Sequence, residues 1–454
     1  MPFRWHDCGE LTVRGPGDRG RLSVRSVMVA RVGGRSSVAG RRGRGRAVTG
    51  TGVEAGRLRM VPEGVTHGPS RELLAAGELC WSYAYLDLEA SGDEPLQSAS
   101  SWYERQGVRG TEGLYVLGEA RYEAFEGPVT VLLDGASGEV FLARPDDDDM
   151  LQRDLLASSP QCLIALAAEI EAVSAAAGGE HGLADGEVRP YGPAAVAEVE
   201  QLVRQLLREA DPELFRRTDD RPAHWETALA IRALDWGADA GGPGGAAYAV
   251  SAALVEDLAT LEGEGSVRRF EEAELPASVS HAPTRRLLRE IGLPVSDRCL
   301  LDVEAEGPLR TLAQQYPENF DPGDEDEGEL TTRPQQGGFL VVGGWMYDFV
   351  VLLDGATGRV ELPDLWDDGE PAAYLHRDLS ALLYVLWTFE RLRAVRREAG
   401  HPWTPGPWSV FEPSELLDGA AEAVMRALDP EAFESESHFW PIRVDDGHMG
   451  SLLE

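Results

Sequence analysis

Two histidines are the best candidates for general acid–base chemistry, because His67 and His281 each stand beside a helix-start signal in a segment that occurs twice. The segments are VTHGPSRELL from Val65 and VSHAPTRRLL from Val279. Proton transfer by a histidine needs a companion: a nucleophile to deprotonate or a carboxylate to orient the ring. Neither copy supplies one in a recognisable motif, so a structural histidine is the favoured reading, and an enzyme with an unrecognised site around His281 is kept as an alternative. Asp134 and Asp354 also recur, in VLLDGASGEV and VLLDGATGRV. An Asp-Gly pair followed by a second Gly is what a tight hairpin requires, and that accounts for both.

Metal and cofactor chemistry has less to stand on. Cys8, Cys80, Cys162 and Cys299 are scattered without paired spacing, which argues against a disulfide framework or zinc knuckle and fits a reducing cytoplasm. There is no H-E-x-x-H, no calcium loop, no phosphate-cradling G-x-x-x-x-G-K-[ST] and no nucleophile elbow. The expectation is a protein with no catalytic residues, metal or cofactor.

The loop after the repeated hairpin offers a binding function instead. It is acidic in both copies, with Asp146, Asp147, Asp148 and Asp149 in the first and Asp364, Asp367 and Asp368 in the second. Such a loop would steer a basic partner by long-range attraction. Trp366 within it, with Trp345 and Tyr347 before it, are the aromatic candidates for anchors in the interface. The competing reading is a solvated acidic loop over buried aromatics.

These residues need a scaffold, and the sequence writes that scaffold twice. The histidine segments lie 214 residues apart and the hairpins 220 apart, and D-P-E-x-F at Asp211 returns at Asp429. Arg153-Asp154-Leu155 also matches Arg377-Asp378-Leu379. A period this long is a duplicated domain, not a solenoid. Each copy reads as a short strand (GRLRM or SVRRF), then a helix capped by Thr66 or Ser280 with Pro69 or Pro283 in its first turn. Strands follow at LYVLG or FLVVG and across the hairpin, then a long apolar helix, the D-P-E-x-F helix boundary, and a final strand introduced by Trp225 or Trp440. The fold class expected is α+β: two tandem modules, each a mainly antiparallel sheet with surrounding helices. The boundaries are a disordered Arg/Gly-rich segment over 1–54, a divergent first module over 55–236, a Gly-rich linker with a helix over 237–264, and a second module over 265–454. The modules could reorient or pack as an intramolecular pseudo-dimer, and oligomeric state stays open.

Charge narrows the partners. The net charge is -36, and the first 60 residues carry thirteen Arg against four acidic residues, so the body is more acidic still. Nucleic acid and anionic membrane are therefore poor partners, and no apolar run reaches the length of a membrane span. All 42 basic residues are arginine, a usage expected of a GC-rich bacterial genome.

Three segments of the second copy carry a family resemblance: PTRRLLREIGLP from Pro283, the VLLDGATGRV hairpin and the HRDLSALLY helix start. Over about 265–449 they resemble the SUKH superfamily, and within it the fourth immunity-protein family. The first copy departs from the pattern, with AGELCW where G-L-P would stand. The resemblance implies two SUKH-like α+β modules, an intracellular location, and neutralisation of a bacterial polymorphic toxin, such as a nuclease or nucleic-acid deaminase, by binding alone. The partner expected is thus a protein toxin with a basic surface. A general protein-interaction scaffold of the same fold is the second reading.

Overall fold

The computed structural model describes residues 61–445 apart from 78, 90–95, 125–126, 178–191, 238–241, 262, 297–298, 318–333, 346–348, 364–373, 399–409, 412 and 437. The segment 1–54 and the GRLRM strand candidate lie outside the described residues. The chain falls into two compact units: unit 1 holds residues up to Arg189, Glu200–Arg232 and Pro405–Leu416, and unit 2 holds Pro190–Val199, Ala233–Thr404 and the chain from Leu417.

Unit 1 opens with α1 (Gly68–Ala76) and then lays down an antiparallel meander of β1 (Cys80–Tyr83), β2 (Leu86–Glu89), β3 (Leu114–Ala124), β4 (Gly127–Asp134), β5 (Val140–Pro145) and β6 (Leu151–Ala157). The short α2 (Ala99–Trp102) interrupts it after β2. The long apolar run expected to be a core helix is α3 (Pro160–Ala177), which buries Leu163, Leu166, Ala167, Ile170 and Val173, the spacing of one helical stripe. Next come α4 (Pro193–Ala210), whose residues through Val199 count with unit 2, α5 (Pro212–Arg217) and α6 (Ala223–Gly237), whose residues from Ala233 count with unit 2. Trp225 lies in α6, so the final strand expected there is a helix. Its indole N–H reaches the Leu156 carbonyl at 2.8 Å, a side-chain tie to the sheet that needs no strand.

Unit 2 begins earlier than its sequence boundary. From Gly242 the segment read as linker is packed: the Ala247 N–H donates to Asp378 at 2.7 Å and the Tyr248 N–H to the Ser380 hydroxyl at 2.9 Å. The expected helix follows as α7 (Ala252–Thr260). Its Asp257 accepts from Trp387 and, bidentately, from Arg391, at 2.7 to 2.9 Å. The residues that follow the glycine run are thus held by polar partners far along the chain.

Beyond α7 come β7 (Ser266–Arg268), α8 (Ala282–Arg286) with a π-turn over Leu287–Ile291, β8 (Leu293–Val295) and α9 (Leu312–Gln315). The main sheet is β9 (Leu340–Gly344), β10 (Val350–Leu353), β11 (Val360–Glu361) and β12 (Tyr374–His376), again an antiparallel meander. Helix α10 (Leu379–Glu398) is buried on every side from Ala381 to Phe389, as a helix apolar all round must be. The unit ends with α11 (Pro413–Leu428), which counts with unit 2 from Leu417, a 3-10 turn over Pro430–Phe433 and α12 (Phe439–Asp445). Trp440 is therefore helical, like Trp225.

The two sheets share their irregularities as well as their order. In β3 the pairing with β4 skips one residue before Gly118, and in β9 the pairing with β10 skips one before Gly343. At each glycine a Cβ would collide with a carbonyl of the preceding segment, Asp87 or Asp302. Register also corrects one sequence match. Val140 pairs with Ala157 and Val360 with His376, so His376 corresponds to Ala157. Arg153-Asp154-Leu155 lies inside β6, whereas Asp378 stands at the start of α10, and its counterpart there is Ser159. Both cap their helices: Ser159 accepts from the Cys162 N–H at 3.2 Å and Asp378 from Ser380 and Ala381 at 2.8 and 3.0 Å.

Candidate functional site

The recurrent histidines turn out to clasp the recurrent hairpins. His67 and His281 are the N-cap residues of α1 and α8, with no side-chain cap bond, so Thr66 and Ser280 are not the caps expected. Each histidine N–H instead donates to the first glycine of its hairpin, Gly135 at 3.0 Å or Gly355 at 2.9 Å. Each ring Nδ1 lies 2.7 Å from Ser70 Oγ or 2.8 Å from Thr284 Oγ1. The second hairpin glycine fits under the ring, since a Cβ on Gly138 or Gly358 would fall 2.1 or 2.3 Å from Nδ1. Arg71 and Arg285 complete the motif by donating to the Val65 and Val279 carbonyls. No carboxylate is hydrogen-bonded to either ring among the described residues. The retained His and Arg of the two segments thus each have a structural task.

Asp134 and Asp354 close the same turns. Asp134 accepts from the Ala136 and Ser137 N–H groups, and Asp354 from the Ala356 N–H and the Thr357 hydroxyl, at 2.6 to 3.0 Å.

The acidic loop of unit 1 divides its labour. Asp146 accepts from the Met150 and Asp148 N–H groups at 2.7 and 3.0 Å and from Gln152 at 2.6 Å. The backbone bond from Met150, followed by that from Gln152, holds its carboxyl below the usual carboxylate range. Arg109 braces the turn by donating to the Asp148 and Asp149 carbonyls, both at 2.8 Å. That leaves the side chains of Asp147, Asp148 and Asp149 exposed beside the exposed Met150. Of the second loop, Asp364, Trp366, Asp367 and Asp368, with Tyr347, lie outside the described residues. Trp345 is described and is a core residue: it is 5% exposed and packs edge-on against Phe439 and Trp440, with centroids 5.3 and 6.3 Å apart.

A buried polar cluster in unit 2 escaped the sequence reading. Asp429 Oδ2 lies 2.9 Å from His376 Nδ1, Oδ1 accepts from the Tyr374 hydroxyl at 3.2 Å, and the Trp440 indole N–H points at His376 Nε2 at 3.1 Å. Indole nitrogen only donates, so Nε2 is the acceptor and the proton of the neutral ring sits on Nδ1, facing the carboxylate. Burial alone would push the Asp429 carboxyl up. The hydrogen bond from His376, aided by the backbone N–H and the charge of Arg377, outweighs it and holds the group below its ordinary value. Burial and the Asp429 charge raise the Tyr374 hydroxyl. The available signals were the HRDL start of α10, where a histidine preceded the cap, and Asp429 of the recurring D-P-E-x-F segment. Unit 1 places Asp211 at the same point, accepting from the Leu214 and Ser158 N–H groups at 3.0 and 2.7 Å, with Ala157 in place of the histidine.

Among the described residues there is no group of three or more His, Cys, Asp or Glu side chains arranged to hold a metal ion, and no helix long and apolar enough to cross a membrane. The ring Nδ1 atoms of His67, His281 and His376 and the carboxylates of Asp134, Asp354 and Asp429 all have partners within their own units. What these features define is an α+β protein whose recurrent residues serve architecture, with acidic side chains left at the surface. Residues 253–446 match the family described as SUKH-4 immunity protein. No curated protein and no solved structure matches the chain.

Proposed function

We propose that this protein is a non-enzymatic immunity protein that binds and neutralises a bacterial toxin in the cytoplasm. The observation that carries the reading is the SUKH-4 match over residues 253–446. The closure of His281 into a hairpin clasp supports a binding role over an enzyme centred on that residue. On this reading the chain is two tandem copies of one module. The repeated bulges, histidine clasps and D-P-E-x-F helix boundaries support that duplication.

The toxin would be basic, a nuclease or nucleic-acid deaminase being the class that requires such a surface. It would be drawn to acidic loops, with Asp147, Asp148 and Asp149 in the first copy and Asp364, Asp367 and Asp368 with Trp366 and Tyr347 in the second. Attraction of this kind accelerates association and weakens as salt rises. The test is co-expression with candidate toxins encoded beside the gene, scoring survival and complex formation for the wild type and for each loop changed to serine. Rescue lost only in the loop variants supports acidic docking. Rescue that survives both changes moves the interface elsewhere, and binding to other proteins without rescue favours a general scaffold.

A further inference from the structure

Unit 1 contains one stretch remote in sequence from the rest, residues 405–416. Within it Val410 and Phe411 are buried, at 1% and 2% exposure. The Phe411 N–H donates to Asp154 Oδ2 at 2.7 Å, and its ring meets the His224 ring edge-on with centroids 5.7 Å apart. The His224 ring is fixed from its other side, with Nε2 3.0 Å from the Ala84 carbonyl. A carbonyl only accepts, so Nε2 carries the proton. Alongside runs a cleft of about 190 Å³ walled by Leu142, Leu155, Pro222 and Trp225, with Asp154 and Arg221 supplying charge.

We infer that this seat is a peptide-docking site of unit 1 whose resident occupant is the chain's own Val410–Phe411 segment. It takes a segment that offers a backbone N–H to the Asp154 carboxylate and an aromatic ring to His224. Three observations carry this. The segment joins unit 1 with residues 233–404 intervening in sequence, as an added peptide would join it. The Phe411 N–H ends on the side-chain carboxylate of Asp154, so the seat is built from side chains of unit 1 already in place. The adjoining cleft of about 190 Å³ is lined by the same Asp154, His224 and Phe411. A polar and apolar cleft of this kind is the usual form of a ligand seat. The inference stands apart from the toxin-binding reading.

The test uses the full chain. In Phe411→Ala the seat is emptied of its ring, and a fluorescent peptide spanning residues 405–416 is titrated by anisotropy. The expected result is binding at least ten-fold tighter to Phe411→Ala than to wild type, lost at least ten-fold when Asp154→Ala is added, because a hydrogen bond to a charged group is removed. Equal binding to wild type and Phe411→Ala, or binding indifferent to Asp154, overturns the proposal. Should circular dichroism show Phe411→Ala unfolded, hydrogen exchange of full-length Asp154→Ala decides. Exchange of the Phe411 amide at least ten-fold faster, with β4 and β5 protected as in wild type, upholds the seat, and unchanged protection of that amide refutes it.

Discussion

His376 Nδ1 lies 2.9 Å from Asp429 Oδ2 with both side chains sealed from solvent, at 0% and 1% exposure. The pair ties the last strand of the main sheet in unit 2 to the turn that follows α11, and Trp440 locks the ring from the other side. A carboxylate buried this way stabilises only while its donors remain, since an unmatched buried partner bears the full desolvation cost. Asp429→Ala removes the acceptor of Tyr374, His376 and Arg377 together. It should lower unfolding free energy by about 3 kcal/mol, seen as an earlier urea transition in tryptophan fluorescence. A midpoint within error of wild type would refute the structural role.

The histidine clasp makes the hairpin glycines irreplaceable for two reasons. Gly358 has φ +84°, and a Cβ there would strike His281. Gly358→Ala should cost about 2 kcal/mol, combining left-handed strain with the collision. Adding His281→Ala should return part of that loss, because the clash disappears while the strain stays. Simple additivity in thermal melts of the single and double variants would count against the clasp.

His224 sets a pH dependence. Burial depresses its pKa from the ordinary 6.5 to about 4, with the bond to the Ala84 carbonyl opposing. Between those values the unfolded chain binds a proton that the folded protein does not, so stability rises with pH. The contribution is complete above about 6.5 and is lost as pH falls toward 4, by about 3 kcal/mol in all. His224→Gln should flatten the urea midpoint across this window, and a slope unchanged from wild type would exclude His224 as its source.

Cys299 should be chemically silent. Burial, with Glu390 nearby, pushes its thiol up to about 12, and reactivity follows the thiolate. In native protein at pH 8 a maleimide should leave Cys299 unlabelled by peptide mass mapping, and in urea it should react. Rapid native labelling would mean that the segment around it opens readily.

The acidic loop of unit 1 should separate turn formation from docking. Changing Asp147, Asp148 and Asp149 to serine leaves the Asp146 bonds in place, so melting should match wild type; if the proposed docking of a basic toxin holds, its association should slow and depend less on salt. Asp146→Ala should instead destabilise the turn. If the triple variant melts early, its exposed carboxylates have a structural task as well.

Much of the architecture was legible in the chain because it rests on local periodicity and turn chemistry. The apolar runs became β3, β9, α3 and α10, and Asp-Gly with a second glycine became the hairpins, since backbone geometry at those residues depends on their immediate neighbours. The proposed duplication rests on matched segments that recur in order along the sequence. Tertiary structure decided everything that depends on which residues meet. It turned the Trp225 and Trp440 segments into helices, through indole bonds to the end of a strand far away in sequence. It moved the register by which His376 answers Ala157, because pairing across a bulge counts partners rather than residues along the chain. It drew the glycine-rich stretch from Gly242 into unit 2 through Asp378 and Ser380, sent Trp345 into the core, and made His281 a clasp. A sequence states which side chains are available, but burial and partnership are set by contacts between distant segments, and those alone separate a buried structural histidine from a reactive one.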